Sequence, residues 1–331
     1  MKKIVSIVLA VFMLAVCVTG CKTTTRKQLK PVVLNEVAHS IFYAPQYAAI
    51  ELGYFEDEGL DLTLVNGAGA DKVMTALISG DADIGFMGSE ASIYVYQQGS
   101  DDYAVNFAQL TQRAGNFLVG REAQDNFTWA DLKGKKVLGG RAGGMPEMVF
   151  EYILKKNGID PAADLTIDQS INFGLTAAAF TSNDADYTVE FEPFATGLEK
   201  EGNGHVIASL GVDSGYVPYT AYSVKKSYLE KNPETIQKFT NAIQKGLEYV
   251  NTHSAEEIAK VIQPQFKETD EDTIATIVGR YKDQDTWKGD TVFEKESFEL
   301  LENILEEAGE LNERVPYDKL VTTEFSQEAA K

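Results

Sequence analysis

The chain has 331 residues, of which 44% are hydrophobic and 24% charged, with 30 basic and 50 acidic side chains for a formal net charge of −20. Such a length exceeds what one hydrophobic core usually serves, and such a composition excludes a disordered or membrane-embedded chain. The negative charge excludes nucleic acid as a partner, whose phosphates it would repel, and otherwise speaks only of solubility.

The first twenty residues differ from the rest. Lys2 and Lys3 precede the uncharged apolar run 4–18, which is too short to span a bilayer comfortably and long enough for an export signal. Val18-Thr19-Gly20-Cys21 resembles the bacterial lipobox, whose cysteine sulfur receives diacylglycerol. Residues 1–20 are expected to be a removed signal peptide and Cys21 the lipidation site. Residues 21–30 then form a tether whose Lys22, Arg26, Lys27 and Lys30 favour an anionic membrane surface. The second cysteine, Cys17, falls in the removed segment. No disulfide, zinc cluster or thiol nucleophile is therefore available, and neither cofactor nor metal is expected.

From Val32 onward strand-like and helix-like segments alternate, the pattern of parallel sheets with crossover helices. Strands are predicted over 32–37, 60–65 and 84–86, helices over 43–52 and 70–79, with Gly53 and Gly80 closing the helices. A helix to about Gln98 and a strand over 104–110 complete this series. The composition turns polar over 112–116, where the first crossing between lobes is placed. The second series starts with a strand over 117–119. A Thr128-x-x-Asp131 capping box, a strand at Val137 and Leu138, and a helix opening at Pro146 and ending by Gly158 follow. Strand signals recur over 165–167, 187–189 and 206–208, with short helices over 176–180 and 193–202. The return crossing lies over 211–218 and leads to a strand over 221–224. Helical patterns over 233–252, 254–262, 270–282 and 293–308 are expected to wrap back on the first lobe. The lobes thus divide as 31–114 with 219–331, and 115–218. One echo supports two lobes of similar topology: Gly80-Asp81-Ala82-Asp83-Ile84 and Asn183-Asp184-Ala185-Asp186-Tyr187 occupy the same helix-to-strand position in each half.

Ligands of open parallel sheets bind beyond the carboxyl ends of the strands, where the N–H groups of helix starts point outward. After the first strand this rule selects His39, Ser40, Phe42, Tyr43 and Gln46; after the second, 67–71 including Gly67; after the third, Gly88, Ser89 and Glu90. In the second lobe it selects 141–147 with Arg141, Gly143, Gly144 and Met145, then 172–176 with Asn172, then 190–194 with Glu190 and Glu192. The crossings add Arg113 and Tyr216. The run Gly139-Gly140-Arg141-Ala142-Gly143-Gly144-Met145-Pro146 lets bare backbone approach a carboxylate, sulfonate or phosphate, with Arg141 as a fixed positive charge. A surface ion pair is the competing role for Arg141. The run lacks the Lys-Ser/Thr ending of a P-loop and the spacing of a dinucleotide fingerprint. Of Phe42 and Tyr43, one is expected to line the cleft and the other to be buried. His39 has no second histidine near it in sequence, and no glycine-x-serine-x-glycine elbow is present. Glu190 and Glu192, two apart, fall on opposite faces if their strand persists.

The run Phe42-Tyr43-Ala44-Pro45-Gln46-Tyr47-Ala48-Ala49, then Leu52-Gly53-Tyr54-Phe55 and Glu58-Gly59-Leu60-Asp61-Leu62, resembles the opening of bacterial solute-binding proteins of the thiamine-pyrimidine-synthase-like group. That group includes alkanesulfonate, taurine and pyrimidine-precursor binders. Gly80-Asp81-Ala82-Asp83-Ile84-Gly85-Phe86 and Glu192-Pro193-Phe194-Ala195 are similar to its later landmarks. The resemblance implies an α/β periplasmic-binding-protein fold of type II: two lobes, each a parallel-rich sheet flanked by helices, with extra C-terminal helices on the first. It implies a receptor that closes on a small solute and passes it to an ABC permease; with the lipobox, the expected protein is a non-catalytic monomer lipid-anchored outside the cytoplasm, and an exported enzyme on the same scaffold is the alternative. The group's eukaryotic enzymes use a cysteine-rich iron-binding motif, which this chain lacks. The glycine run and Arg141 favour an anionic solute such as a sulfonate. The aromatic pair with Glu90, Glu190 and Glu192 favours a planar heterocycle bearing N–H donors, and a thiamine-related pyrimidine precursor satisfies more of these groups.

Overall fold

The computed structural model describes residues 29–171 and 174–331. The expected export segment, Cys21 and all but the last two residues of the tether lie outside the described residues, as does Asn172. Among the described residues, ten strands form two five-stranded sheets. The first takes β1 (Lys30–Glu36), β2 (Leu60–Asn66), β3 (Ile84–Met87), β4 (Ala104–Thr111) and β10 (Thr220–Lys225), in the order β2-β1-β3-β10-β4. The second takes β5 (Asn116–Gly120), β6 (Lys136–Leu138), β7 (Thr166–Asp168), β8 (Tyr187–Phe191) and β9 (His205–Ser209), in the order β7-β6-β8-β5-β9.

In each sheet a single strand runs against its neighbours. β10 is antiparallel to β3 and β4, and β5 is antiparallel to β8 and β9, whereas β1 with β2 and β3, and β6 with β7 and β8, are parallel. These two strands directly follow the crossings between sheets. A chain arriving from the other sheet enters at the end where the parallel strands finish, so it must run away from that end. The topology therefore puts the carboxyl ends of both parallel sets at the junction between the sheets.

The Asp-Ala-Asp echo has a structural counterpart. Asp83 accepts from the Val33 N–H at 2.9 Å and its own N–H donates to the Val33 carbonyl. Asp186 accepts from the Lys136 N–H at 2.9 Å and donates to the Lys136 carbonyl. Each reciprocal pair pins a helix-to-strand turn to the neighbouring strand, β1 in one sheet and β6 in the other.

Helices α1 (Ala44–Glu51), α2 (Ala70–Ser79), α3 (Glu90–Gln97) and α4 (Met145–Lys156) follow β1, β2, β3 and β6. After β10 come α5 (Pro233–Thr252), α6 (Ala255–Ile262), α7 (Glu271–Asp283) and α8 (Lys295–Ala308). α5 buries Ile236, Phe239, Ile243, Leu247 and Val250, spaced by three or four, against α1 and the first sheet. These helices also reach the second half: Arg280 on α7 pairs with Glu192 at 2.9 Å, and Lys155 on α4 donates to the Glu307 carbonyl of α8 at 2.7 Å. The buried apolar core runs through both halves, and at the junction Phe42 and Tyr281 are wholly buried. Among the described residues no helix is long and apolar enough to cross a membrane.

Candidate functional site

The junction encloses a cavity of about 430 Å³. Tyr43, Gly88, Glu90 and Tyr94 wall it from the first half; Asn116, Val189, Glu190, Phe191 and Phe194 wall it from the second, and Tyr219 from the return crossing. The glycine run closes one end through Gly140, Arg141, Gly143, Gly144 and Met145, facing Gly69, Asp71 and Met74 at the start of α2. Most of the wall's surface is apolar, with polar side chains interspersed, the usual make-up of a small-molecule site.

Acidic side chains in its wall, Asp71, Glu90 and Glu190, outnumber the basic Arg141. Glu90 is 4% exposed, and burial pushes its carboxyl up to about 7 against the opposing effect of N–H groups from its own backbone and from Met145. Glu190 is pushed up to about 7 by burial too, although the Thr176 and Thr188 hydroxyls donate to it at 2.9 and 2.6 Å. Burial likewise holds the Tyr43 and Tyr219 hydroxyls protonated, and Tyr219 donates to Asn116 Oδ1 at 2.9 Å. Arg141 is the cation in the wall; it is 60% exposed at the side chain and faces Asp71 at 3.6 Å.

The glycine run lines the cavity, and a carboxylate of the protein already sits on one of its N–H groups. Gly143 N–H donates to Glu147 Oε2 at 3.1 Å, and the Met145 N–H acts electrostatically on Glu90, opposing the rise of its carboxyl. The Glu147 carboxylate thus takes one of the donors expected for an anionic ligand group. Burial, and Glu151 beside it, raise the Glu147 carboxyl.

Of the residues selected from sequence, the fold brings Tyr43, Gly88, Glu90, Arg141, Gly143, Gly144, Met145 and Glu190 to this wall. Phe42 lies in the core instead, its ring against those of Tyr43, Phe191, Tyr219 and Tyr281. His39 bonds Glu36 at 2.8 Å and the Gln265 carbonyl at 3.0 Å, and its pKa is raised by the Glu36 bond. Gln46 links Glu36 to Tyr222 in the same buried network. Ser40 donates to the Glu192 carbonyl at 2.9 Å and Ser89 to that of Pro218, so both tie the halves together without lining the cavity. Gly67 packs on Asn35 and Val73. Glu192 turns to Arg280 and Thr196. Arg113 stacks on Tyr216 at 4.4 Å, away from the cavity, and Tyr216 bonds Asp285. Sequence reasoning missed Asn116, Tyr219, Tyr94 and Val189. The first two end the crossings, which any cleft between the sheets must be walled by, and that was the available signal. Among the described residues no group of His, Cys, Asp or Glu side chains converges as a metal site.

The pattern that defines the NMT1/THI5 like family matches residues 41–257. The chain belongs to the NMT1/THI5-like family. Among similar proteins, Bacillus subtilis (strain 168) YtlA, named as a binding protein without a stated ligand, is 47% identical over 93% of this family member and 92% of its own length. The formylaminopyrimidine-binding protein of Halalkalibacterium halodurans is 24% identical over 83% and 85%. The Saccharomyces cerevisiae 4-amino-5-hydroxymethyl-2-methylpyrimidine phosphate synthase THI11 is 26% identical over 63% of each chain. A solved ligand-binding component of an ABC-type import system from Staphylococcus aureus, with zinc bound, superposes with a TM-score of 0.72 at 17% identity, covering 91% of this NMT1/THI5-like chain and 99% of the other. That likeness shows the two-lobed fold of periplasmic binding proteins.

Proposed function

We propose that this NMT1/THI5-like protein is the extracytoplasmic solute-binding component of an ABC importer, and that it holds a small planar amino-heterocycle of the thiamine-precursor pyrimidine class without transforming it. On this reading the lobes are 31–114 with 219–331, and 115–218, and they close on the solute by hinge motion; residues 1–20 direct export and Cys21 carries the lipid anchor. The observation that carries the proposal is the cavity at the strand tips of both sheets, walled by Tyr43, Phe191 and Tyr219 and bearing the buried carboxylates Glu90 and Glu190. Aromatic faces suit a planar ring, and buried carboxyls suit N–H donors. An anion would meet two buried carboxyls and find the Gly143 N–H already engaged by Glu147, which disfavours a sulfonate or taurine. The names of YtlA and of the formylaminopyrimidine-binding protein support binding and the pyrimidine class. Against the synthase reading, the only cysteines are Cys17 and Cys21, both in the N-terminal leader region.

The test is a thermal-shift screen of the purified protein over pyrimidines, sulfonates and amino acids, followed by mass spectrometry of the recovered compound. Aminopyrimidines should stabilise the protein by about 2.7 kcal/mol at a hundredfold excess over the dissociation constant, and come back unchanged. Stabilisation by sulfonates alone would overturn the solute class, and a converted compound would overturn the receptor.

A further inference from the structure

Two buried polar atoms in the cavity wall have no partner: Glu90 Oε2 and Asn116 Nδ2. Asn116 is completely buried and Glu90 nearly so. Unpaired groups at such depth cost about 1–3 kcal/mol each. Glu90 opens α3, with its carboxylate folded back over Gly88 at the strand tip, where an added Cβ would push it aside. Asn116 opens β5, where the Tyr219 hydroxyl engages Oδ1 and leaves the amide nitrogen as its free group. Glu190 differs, since both of its oxygens already accept from Thr176 and Thr188. One free acceptor thus comes from the first half of the fold and one free donor from the second.

We infer that Glu90 Oε2 and Asn116 Nδ2 are the groups that determine specificity, the first accepting from an N–H of the solute and the second donating to a solute lone pair, so that the ligand is an apolar ring carrying one donor and one acceptor, such as an amino group and a ring nitrogen. This inference rests on the reading of the cleft as a solute site and narrows it. A solute with both groups satisfies both orphaned atoms only when the two halves stand together around it, which couples recognition to closure. Glu190, with its hydroxyl partners, shapes the wall and does not select.

The test is calorimetric titration of the full protein with three probes: 4-amino-5-hydroxymethyl-2-methylpyrimidine; its 4-methyl counterpart, which has the same size and no N–H; and its benzene counterpart, which keeps the amino group and lacks ring nitrogens. Wild type should favour the first over each of the others by roughly 10- to 100-fold. In Glu90→Leu the preference for amino over methyl should fall below threefold while the preference over the benzene probe persists. In Asn116→Leu the reverse should hold. Ratios between probes cancel any general weakening of the cleft, and Glu90→Gln, which keeps the shape and an acceptor oxygen, should give an intermediate ratio. Equal affinities for amino and methyl probes in wild type, or ratios unchanged in the variants, would overturn the inference and leave the receptor standing. Failure of wild type to bind any of the probes would overturn the solute class itself.

Discussion

Glu90 sets recognition against stability, and Glu90→Gln separates the two. A carboxyl displaced from its ordinary 4.5 to about 7 weighs on the empty folded state once ionised, at about 1.36 kcal/mol for each pH unit, by ~3 kcal/mol. The direction follows from proton binding: between those values the folded chain holds a proton that the unfolded chain has released. The contribution of Glu90 is fully present below about pH 4.5 and is lost as the pH rises through 7. The groups acting on the carboxyl are the Tyr43, Tyr94 and Tyr219 hydroxyls and the Met145 N–H; the hydroxyls are all raised above their ordinary value and do not titrate in this window. Glu190 does, equally in both proteins, and cancels in the comparison. A glutamine keeps the shape and stays neutral. In urea unfolding followed by the fluorescence of Trp129 and Trp287, Glu90→Gln should match wild type near pH 4.5 and exceed it by up to ~3 kcal/mol at pH 8. A variant less stable than wild type at pH 8, or a difference that ignores pH, would refute the reasoning, because the carboxylate would then be stabilised by its surroundings.

Three further substitutions probe the frame around the cavity. In Gly115→Ala the new Cβ would lie 2.6 Å from the Phe42 ring, which other rings hold on several sides, so chemical denaturation should show a loss of roughly 1–3 kcal/mol. Arg280→Ala strips a partner from the fully buried Glu192 side chain and should cost roughly 3 kcal/mol, with partial recovery when Glu192→Gln is added. Arg141→Ala removes only an exposed pair with Asp71; stability should stay within about 0.5 kcal/mol of wild type by the same assay, and affinity for the neutral aminopyrimidine probe should change little, whereas a large loss would return the anion reading to favour.

The strand-tip rule reached Glu90 and Glu190 because a helix start after a buried strand is legible from local pattern alone. It reached the glycine run by the same logic, yet the carboxylates that act on those N–H groups differ in visibility. Glu147 lies four residues on and could have been anticipated; Glu90 belongs to the other half of the chain. Phe42 and Tyr43 illustrate the limit. Both sit on one short turn, and which of them is buried depends on Tyr219 and Tyr281, far along the chain. His39 and Gln46 were drawn off by Glu36, a carboxylate buried at the end of β1 that the strand pattern alone marks as unremarkable. The alternation of strands and helices carried the sheets well, since hydrophobic period is local. The reach of α7 and α8 to the second half was not visible, because nothing in a helix's own periodicity names the surface it will cover.

On the proposed function, one small solute sits between the strand tips of the two sheets. A crystal structure of the protein with 4-amino-5-hydroxymethyl-2-methylpyrimidine tests it most directly. The ring is expected between Tyr43 and Tyr219, its amino group on Glu90 and a ring nitrogen on Asn116; a compound bound on the outer surface, with the cavity closed over by the protein's own side chains, would overturn the proposed site.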